Sequence, residues 1–524
     1  MRLFAPLTSE PVPLLQSIEV ATSLQIPSFY LIGLPGPEVA EAKERVRAAI
    51  EASELTFPRR KVIVNLSPAS IRKRGTGMDL AIALAVLAEN AGEKSRAGEC
   101  VAWGELGLDG AVKPAGQLTR VLYATWERGI PYLFLSENEL PQAQATLELL
   151  KEGGRLNSQP QPALVGICNL KSAWRKLNLK DPLEGRIPPL SVQTKNPDVT
   201  QARDSAHLLR LSPALERTIG VIATGKHHAL FLGPKGTGKS HALEWLVALQ
   251  DDPEASTRIK QQLLAELQLG VFDPSATRRV SAHVHPASLA GSATARAIRP
   301  GEFSLAHGGL LIADELPEWH RDSREALREP LERGTVRISR AEGGFELPAR
   351  FQFAANGNLC PCGGWPPEFP QDAQQPRCRC SVSHRKSYLL RLSGPILDRI
   401  DLLVLARATP PTSAPPPVSL PHCPFDALHK RVTYARDRVR SLWGAPPGRL
   451  EAPTLQAMLA THADWQTWLD ELELKSFRAR HKVMRVALTF GAWDQDANPS
   501  GMPMQHHFFE ASQYRAERME QWLC

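Results

Sequence analysis

Apolar and polar positions along the chain fall into three regimes separated by two breaks. From residue 1 to about 170, short apolar runs alternate with helical patterns. Lys61-Val62-Ile63-Val64-Asn65-Leu66 predicts a strand, and the apolar stretch from Leu80 to Leu87 predicts a buried helix. Between 171 and 205 the chain turns polar and carries Asp181-Pro182, Ile187-Pro188-Pro189 and Asn196-Pro197, which predicts a linker. A second alternation occupies 206–405, where Ala229-Leu230-Phe231-Leu232, Gly309-Leu310-Leu311-Ile312-Ala313 and Phe351-Gln352-Phe353-Ala354-Ala355 predict buried strands of an α/β domain. Pro410-Pro411-Thr412-Ser413-Ala414-Pro415-Pro416-Pro417 then ends all periodicity, predicting an extended connector over 406–425. Residues 426–524 read as helical, with Val483, Val486, Ala487 and Phe490 close to one helix face. The expected class is α/β, in two α/β regions and a helical C-terminal region, without solenoid repeats.

Chemistry concentrates in the middle regime. After the strand Ala229–Leu232 comes Gly233-Pro234-Lys235-Gly236-Thr237-Gly238-Lys239-Ser240, which fits the phosphate-loop pattern G-x-x-x-x-G-K-[ST] without mismatch, and His241 to Val247 reads as a helix start. Strand, glycine loop and helix aim backbone N–H groups and a helix N-terminus at a phosphate chain, so ATP is the expected ligand. About 75 residues later an apolar strand ends in Asp314-Glu315. Asp314 is expected to hold Mg2+ beside the Ser240 hydroxyl, and Glu315 to polarise the attacking water as general base. The strand Phe351–Ala355 runs into Asn356-Gly357-Asn358, where a polar side chain can reach the γ-phosphate or its water. Arg399 sits between Asp398 and Asp401. It is either a surface ion-pair residue or an arginine presented to a neighbouring subunit's nucleotide, and residue type alone leaves both open.

Composition narrows the setting. The charged and apolar fractions, 22% and 43%, are those of an ordinary soluble protein, and no apolar run approaches the ~20 residues of a membrane span. The N-terminus lacks a signal-peptide pattern, so a cytoplasmic protein is expected. A net charge of +7 permits DNA or RNA as a partner and equally fits a solvated basic surface. Eight cysteines in so long a chain do not suggest a disulfide scaffold. Four of them, Cys360, Cys362, Cys378 and Cys380, form two C-x-C pairs across the loop 358–380 and can make a tetrahedral zinc site; four reduced thiols are the alternative.

Five blocks carry a family resemblance: Gly301-Glu302-Phe303-Ser304-Leu305-Ala306-His307, Asp314-Glu315-Leu316-Pro317-Glu318-Trp319, Ile338-Ser339-Arg340-Ala341, Cys360-Pro361-Cys362-Gly363 and Ser393-Gly394-Pro395-Ile396-Leu397-Asp398-Arg399-Ile400-Asp401. Together they resemble the ComM/YifB family of magnesium-chelatase-like AAA+ ATPases, over nearly the whole chain. The resemblance implies a hexameric ring, with Asn358 as first sensor and Arg399 as a finger acting on the neighbouring subunit's nucleotide. Ser476-Phe477-Arg478-Ala479-Arg480-His481 resembles the family's lid helix, which makes Arg478 the second sensor, with Arg480 its competitor. His283-Val284-His285-Pro286 and Leu359 depart from the family pattern.

The first 170 residues resemble the family's Lon-protease-like domain through Gly33-Leu34-Pro35, Phe57-Pro58-Arg59-Arg60 and Gly104 to Gly110. A Lon-type protease needs a serine and a lysine. The matching loop here is Gly75-Thr76-Gly77-Met78-Asp79, and Thr119 stands where the lysine would be, so a non-proteolytic domain is expected. Thr335 to Leu347 reads as a hairpin turning at Glu342-Gly343-Gly344. Its Arg337 and Arg340 are either solvated or, as related AAA+ proteins imply, meet the phosphates of single-stranded or branched DNA in the ring pore. Three functions compete: a DNA motor for branch migration in natural transformation, a magnesium-chelatase motor subunit, and a nucleotide-gated scaffold with weak hydrolysis.

Overall fold

Strict alternation of half-buried and buried positions makes Lys61–Ser67 an inner strand, with Val62, Val64 and Leu66 pointing into a core. It belongs to a seven-stranded mixed sheet ordered Ser28–Ile32, Lys61–Ser67, Leu14–Ser23, Arg2–Leu7, Glu99–Trp103, Tyr132–Ser136, Ala163–Ile167. The computed structural model describes residues 2–8, 10, 12–92, 99–154, 156, 158–178, 206, 211–267, 277–294, 298–340, 343–365, 378–407, 424–474, 476–494, 498–515 and 519. The expected apolar helix is Asp79–Ala91, and its residues Leu80 to Leu87 are all buried against this sheet. Asp79 at its start is buried and held by Arg45, whose Nε donates to Oδ2 at 2.7 Å. The helix Leu170–Leu177 enters the stretch read as a linker and buries Leu170, Ala173 and Leu177 in the same core. The prolines read at 181–197 and 410–417 lie outside the described residues.

The second sheet is parallel throughout, in the order Thr277–Val280, Leu310–Ala313, Gln352–Gly357, Ala229–Leu232, Leu402–Leu405. The strands Ala229–Leu232 and Leu310–Ala313 are apolar on both faces, as burial on both faces demands. Alternate residues feed two cores. Phe231, Leu310 and Ile312 pack with C-terminal helix residues such as Val483, Phe490 and Trp493, while Leu230, Leu311 and Phe353 pack with Phe303, Trp319 and Tyr388. The C-terminal helices therefore share a core with the sheet. Gly220, in the helix Pro213–Gly225, is where they close in: a Cβ there would lie 2.1 Å from the Trp493 ring. Arg217 on that helix binds both Asp494 oxygens, at 2.5 and 2.9 Å, and Glu510 at 3.0 Å.

The helix Ala255–Ala265 joins the two sheets. Ile259 packs into the N-terminal core, and Glu266, just past the helix, accepts the backbone N–H groups of Thr119 and Arg120, each at 3.0 Å. Those amides open the helix Leu118–Glu127, whose own N-cap residue, Gln117, supplies no side-chain cap. A carboxylate from the second sheet's region thus does the capping. Arg120, fully buried, donates to Leu263 O at 2.7 Å.

The predicted hairpin is present as Thr335–Arg340 paired antiparallel with Gly343–Pro348; the turn residues 341 and 342 lie outside the described residues. A second hairpin, Gly291–Ala293 with Ile298–Pro300, packs beside it. Its strands are only three residues long, too short for a period to be read from the sequence. Glycine is required at its base, where a Cβ on Gly301 would lie 2.2 Å from Leu289 O.

Candidate nucleotide site and its neighbours

The phosphate loop is shaped by glycine where no other residue fits well. Gly236 and Gly238 have φ of 83° and 79°, and a Cβ on Gly233 would meet Ala406 O at 2.3 Å. Thr237 Oγ1 donates to Pro234 O at 2.9 Å and closes the loop. Lys239 begins the helix Lys239–Ala248; its ammonium donates to Gly233 O at 2.9 Å and to Pro234 O, which places a buried cation at the loop's mouth. Ser240 is exposed beside it.

Asp314 and Glu315 follow the strand Leu310–Ala313, two positions over from the phosphate-loop strand across Gln352–Gly357. The residue that engages them is Asn356. Its Nδ2 donates to Asp314 Oδ1 at 2.9 Å, and its Oδ1 accepts the Glu315 N–H at 2.7 Å. The family pattern points to Asn358, which lies one residue beyond the strand's end. Asn356 is inside the strand, in register with Phe231, so its side chain meets the acid pair directly. Glu315 itself has φ 51° and is exposed. A glutamate in the left-handed region is strained, and the Asn356 bond to its N–H helps hold that conformation. Asp314 and Ser240 each offer a hard oxygen donor of the kind that Mg2+ takes.

Arg399 and Arg478 come together. Arg399 pairs with Glu332 Oε2, and Arg478 Nη2 donates to Glu332 Oε1 at 3.0 Å, so one carboxylate brackets two guanidiniums. The hydrogen bond from Arg399, helped by Arg478, holds the Glu332 carboxyl below the usual carboxylate range. Arg480 is engaged elsewhere, with Asp470 Oδ1 at 2.7 Å. Sequence reasoning does not single out Glu332. It lies in a short helix, Arg328–Arg333, inside no motif, and only the fold reveals its partners.

The four cysteines converge as the C-x-C spacing predicts. Cys360, Cys362 and Cys378 Sγ atoms are 3.3, 3.6 and 3.7 Å apart, and all four sulfurs lie within 4.8 Å of one another. Tetrahedral zinc with Zn–S of about 2.3 Å separates its sulfurs by about 3.8 Å, so the set is of the right size and softness. Burial raises the Cys360 thiol to about 12. The cluster also touches the phosphate loop: Lys235 N–H donates to Gly363 O at 2.9 Å, and a Cβ on Gly363 would lie 2.6 Å from Lys235 Cε. Of the hairpin arginines, Arg337 is exposed and 4.0 Å from Glu346; for Arg340 only the backbone is described. No helix among the described residues is long and apolar enough to cross a membrane.

A parallel sheet with phosphate loop, acid pair and strand-end asparagine defines an α/β P-loop protein of AAA+ type, and comparison with known proteins agrees. The family described as magnesium chelatase, subunit ChlI, matches residues 212–413, and a second, subunit ChlI of Mg-chelatase, matches 18–139. The chain is 32% identical to the uncharacterized protein YifB of Salmonella typhimurium over 518 residues, 95% of this chain and 94% of the relative. It is 30% identical to YifB of Escherichia coli over the same shares, and 29% identical to the competence protein ComM of Haemophilus influenzae over 96% of this chain and 94% of ComM. The chain belongs to the ComM/YifB family of magnesium-chelatase-like AAA+ proteins.

Proposed function

We propose that this protein is an ATP-driven motor on DNA, working as a homo-hexameric ring that drives branch migration. The observation that carries the reading is a split site. Lys239 and Ser240 stand on the phosphate loop and Asn356 holds Asp314 and Glu315 at the end of the strand two positions over, whereas Arg399 and Arg478 are bound to a different carboxylate, that of Glu332. Such a site is completed when the two arginines of one copy meet the nucleotide of the next. In this reading Lys239 and the loop amides hold the phosphates, Asp314 and Ser240 hold Mg2+, and Glu315 takes a proton from water. Arg399 and Arg478 steady the charge on the transferred phosphoryl group. Asn356 positions Asp314 and Glu315, with Asn358 two residues further along the chain. The hairpin Thr335–Pro348 contacts DNA through Arg337 and Arg340. The name of the relative ComM, a competence protein, supports DNA as the substrate.

The organisation that goes with this function is a Lon-like, non-proteolytic domain at 1–170, an ATPase domain at 206–405 and a helical lid at 426–524, in a cytoplasmic protein. Absence of proteolysis is supported at Gly77, where any Cβ would lie 2.4 Å from the Trp103 ring, and at Thr119, which bonds to Gln262 and Glu266 of the ATPase region. Zinc on Cys360, Cys362, Cys378 and Cys380 would brace the loop against Lys235. Stripping it with a chelator is expected to remove about one zinc per chain and to lower thermal stability by several degrees. Metal analysis with a melting curve checks both; less than about 0.2 zinc per purified chain sinks the assignment.

The magnesium-chelatase reading has the matched family's description in its favour. One experiment separates the two. ATP hydrolysis is expected to rise at least about fivefold with a synthetic four-way junction, and the junction to be resolved into duplexes, a population shift of the size typical of coupled ligands. Metal insertion into a porphyrin in a parallel assay, with no response to the junction, would reverse the assignment.

A further inference from the structure

A groove of about 490 Å3 lies between the helix Arg321–Glu325, the start of the helix Arg328–Arg333 and the end of the helix Val382–Leu389. Four guanidiniums line it, those of Arg321, Arg324, Arg328 and Arg391, against the carboxylate of Glu325. Arg324 is only 8% exposed and is pinned by the carbonyls of Pro317, at 3.3 Å, and Trp319. Burial lowers its proton affinity, Arg391 and Arg321 push the same way, and Glu325 and Glu318 oppose them; four guanidiniums against these two carboxylates leave positive charge in excess. Glu325 is taken by Arg328 at 2.6 Å, and Arg391 turns to Glu318 at 3.0 Å. Arg321 has no ion pair among the described residues, and the buried Ser393 Oγ has no hydrogen-bond partner there. Crowded guanidiniums with a spare hydroxyl donor are a poor resting arrangement and a good one around a phosphate, which planar N–H forks bind in pairs.

Position indicates the source of the phosphate. Arg328, which lines the groove, opens the helix Arg328–Arg333, and that helix runs on through Gly334 into the hairpin strand Thr335–Arg340, so one short helix links groove and hairpin. It is open and larger than a single phosphate, which suits a chain of phosphates passing through. We propose that this groove is a phosphate site, occupied by backbone phosphates of the nucleic-acid strand that the hairpin contacts; the strand assignment rests on the DNA reading above. Contact of this kind is independent of base sequence and weakens with salt.

The test measures binding of the full-length protein to a labelled 30-nucleotide oligodeoxythymidylate by anisotropy at several KCl concentrations. The exposed Arg321 is changed to Ala, alone and with Arg328→Gln. Affinity is expected to fall about threefold in the single and tenfold or more in the double variant, with the salt slope reduced by about 0.7 for each phosphate no longer neutralised. Melting temperatures within about 2 °C of wild type show that the fold is kept. A calorimetric titration with tripolyphosphate, in a Lys239→Ala background, separates the two phosphate sources. Loss of tripolyphosphate binding with DNA affinity and slope intact would overturn the strand and leave a site for free polyphosphate. No change with either probe would overturn the phosphate site. A wild-type protein that binds no oligonucleotide at any salt would overturn the DNA reading itself, a different result from the other two.

Discussion

Glu315→Gln is expected to slow ATP hydrolysis by about 10²–10⁴-fold while leaving ATP affinity within about twofold of wild type, because the amide keeps the shape of the side chain and removes only the base. The backbone at this residue is what makes the prediction sharp. Glu315 stands at φ 51° and its N–H is fixed to Asn356 Oδ1 at 2.7 Å, so the exposed side chain leaves the backbone at a set angle at the end of the strand Leu310–Ala313. A glutamate in the left-handed region costs about 1–3 kcal/mol, a cost found where a side chain must be aimed. Lys239→Ala is expected to act differently: it removes the buried ammonium at the loop's mouth and weakens ATP binding itself. Phosphate release together with binding of a fluorescent ATP analogue distinguishes the two effects. Retention of more than a tenth of wild-type turnover by Glu315→Gln would remove Glu315 from the mechanism. Asn356→Ala is expected to follow Glu315→Gln in direction and to exceed Asn358→Ala in effect, because Asn356 holds both acids.

The second large effect belongs to Arg399. Alone, Arg399→Ala is expected to lose about 10³-fold in turnover, as for other arginines that steady a transferred phosphoryl group. Mixed in equal amounts with Lys239→Ala, also inactive by itself, it is expected to recover roughly a quarter of wild-type activity. In a randomly mixed ring of head-to-tail contacts, one interface in four pairs an intact phosphate loop with an intact arginine. Glu332 extends the prediction to Arg478. Since a single carboxylate holds both guanidiniums, they occupy one face of the subunit, and Arg478→Ala mixed with Lys239→Ala is expected to recover in the same way. Recovery with Arg399→Ala but not with Arg478→Ala would assign Arg478 to its own chain's nucleotide. Recovery with neither would show that the site is not shared between copies.

Local chemistry was legible wherever neighbours in sequence are also neighbours in space. The strand Ala229–Leu232 was readable from four apolar residues, and the strand Leu310–Ala313 from its run into two acids. The apolar helix Asp79–Ala91 and the hairpin Thr335–Pro348 were legible for the same reason, one from unbroken burial and the other from a glycine turn. Residue type does not separate Asn356 from Asn358, which stand two residues apart; only the strand's register with its neighbours sets which one meets Asp314. Glu266 and Glu332 carried no signal at all, since an isolated acid in a helical stretch looks like any solvated charge.

Periodicity and the short motifs were sufficient to determine the α/β class, the place of the phosphate loop and the acids that follow it, because a turn, a helix start and a strand end are built from residues close in the chain. Folding alone decided which distant groups share a charge. It brought Arg399 and Arg478 to Glu332 across 67 and 146 residues, capped the helix at Thr119 with Glu266 from 147 residues away, and laid the cysteine loop on Lys235. Those contacts exist only once two cores have packed and brought their surfaces together, and no spacing along the chain records them.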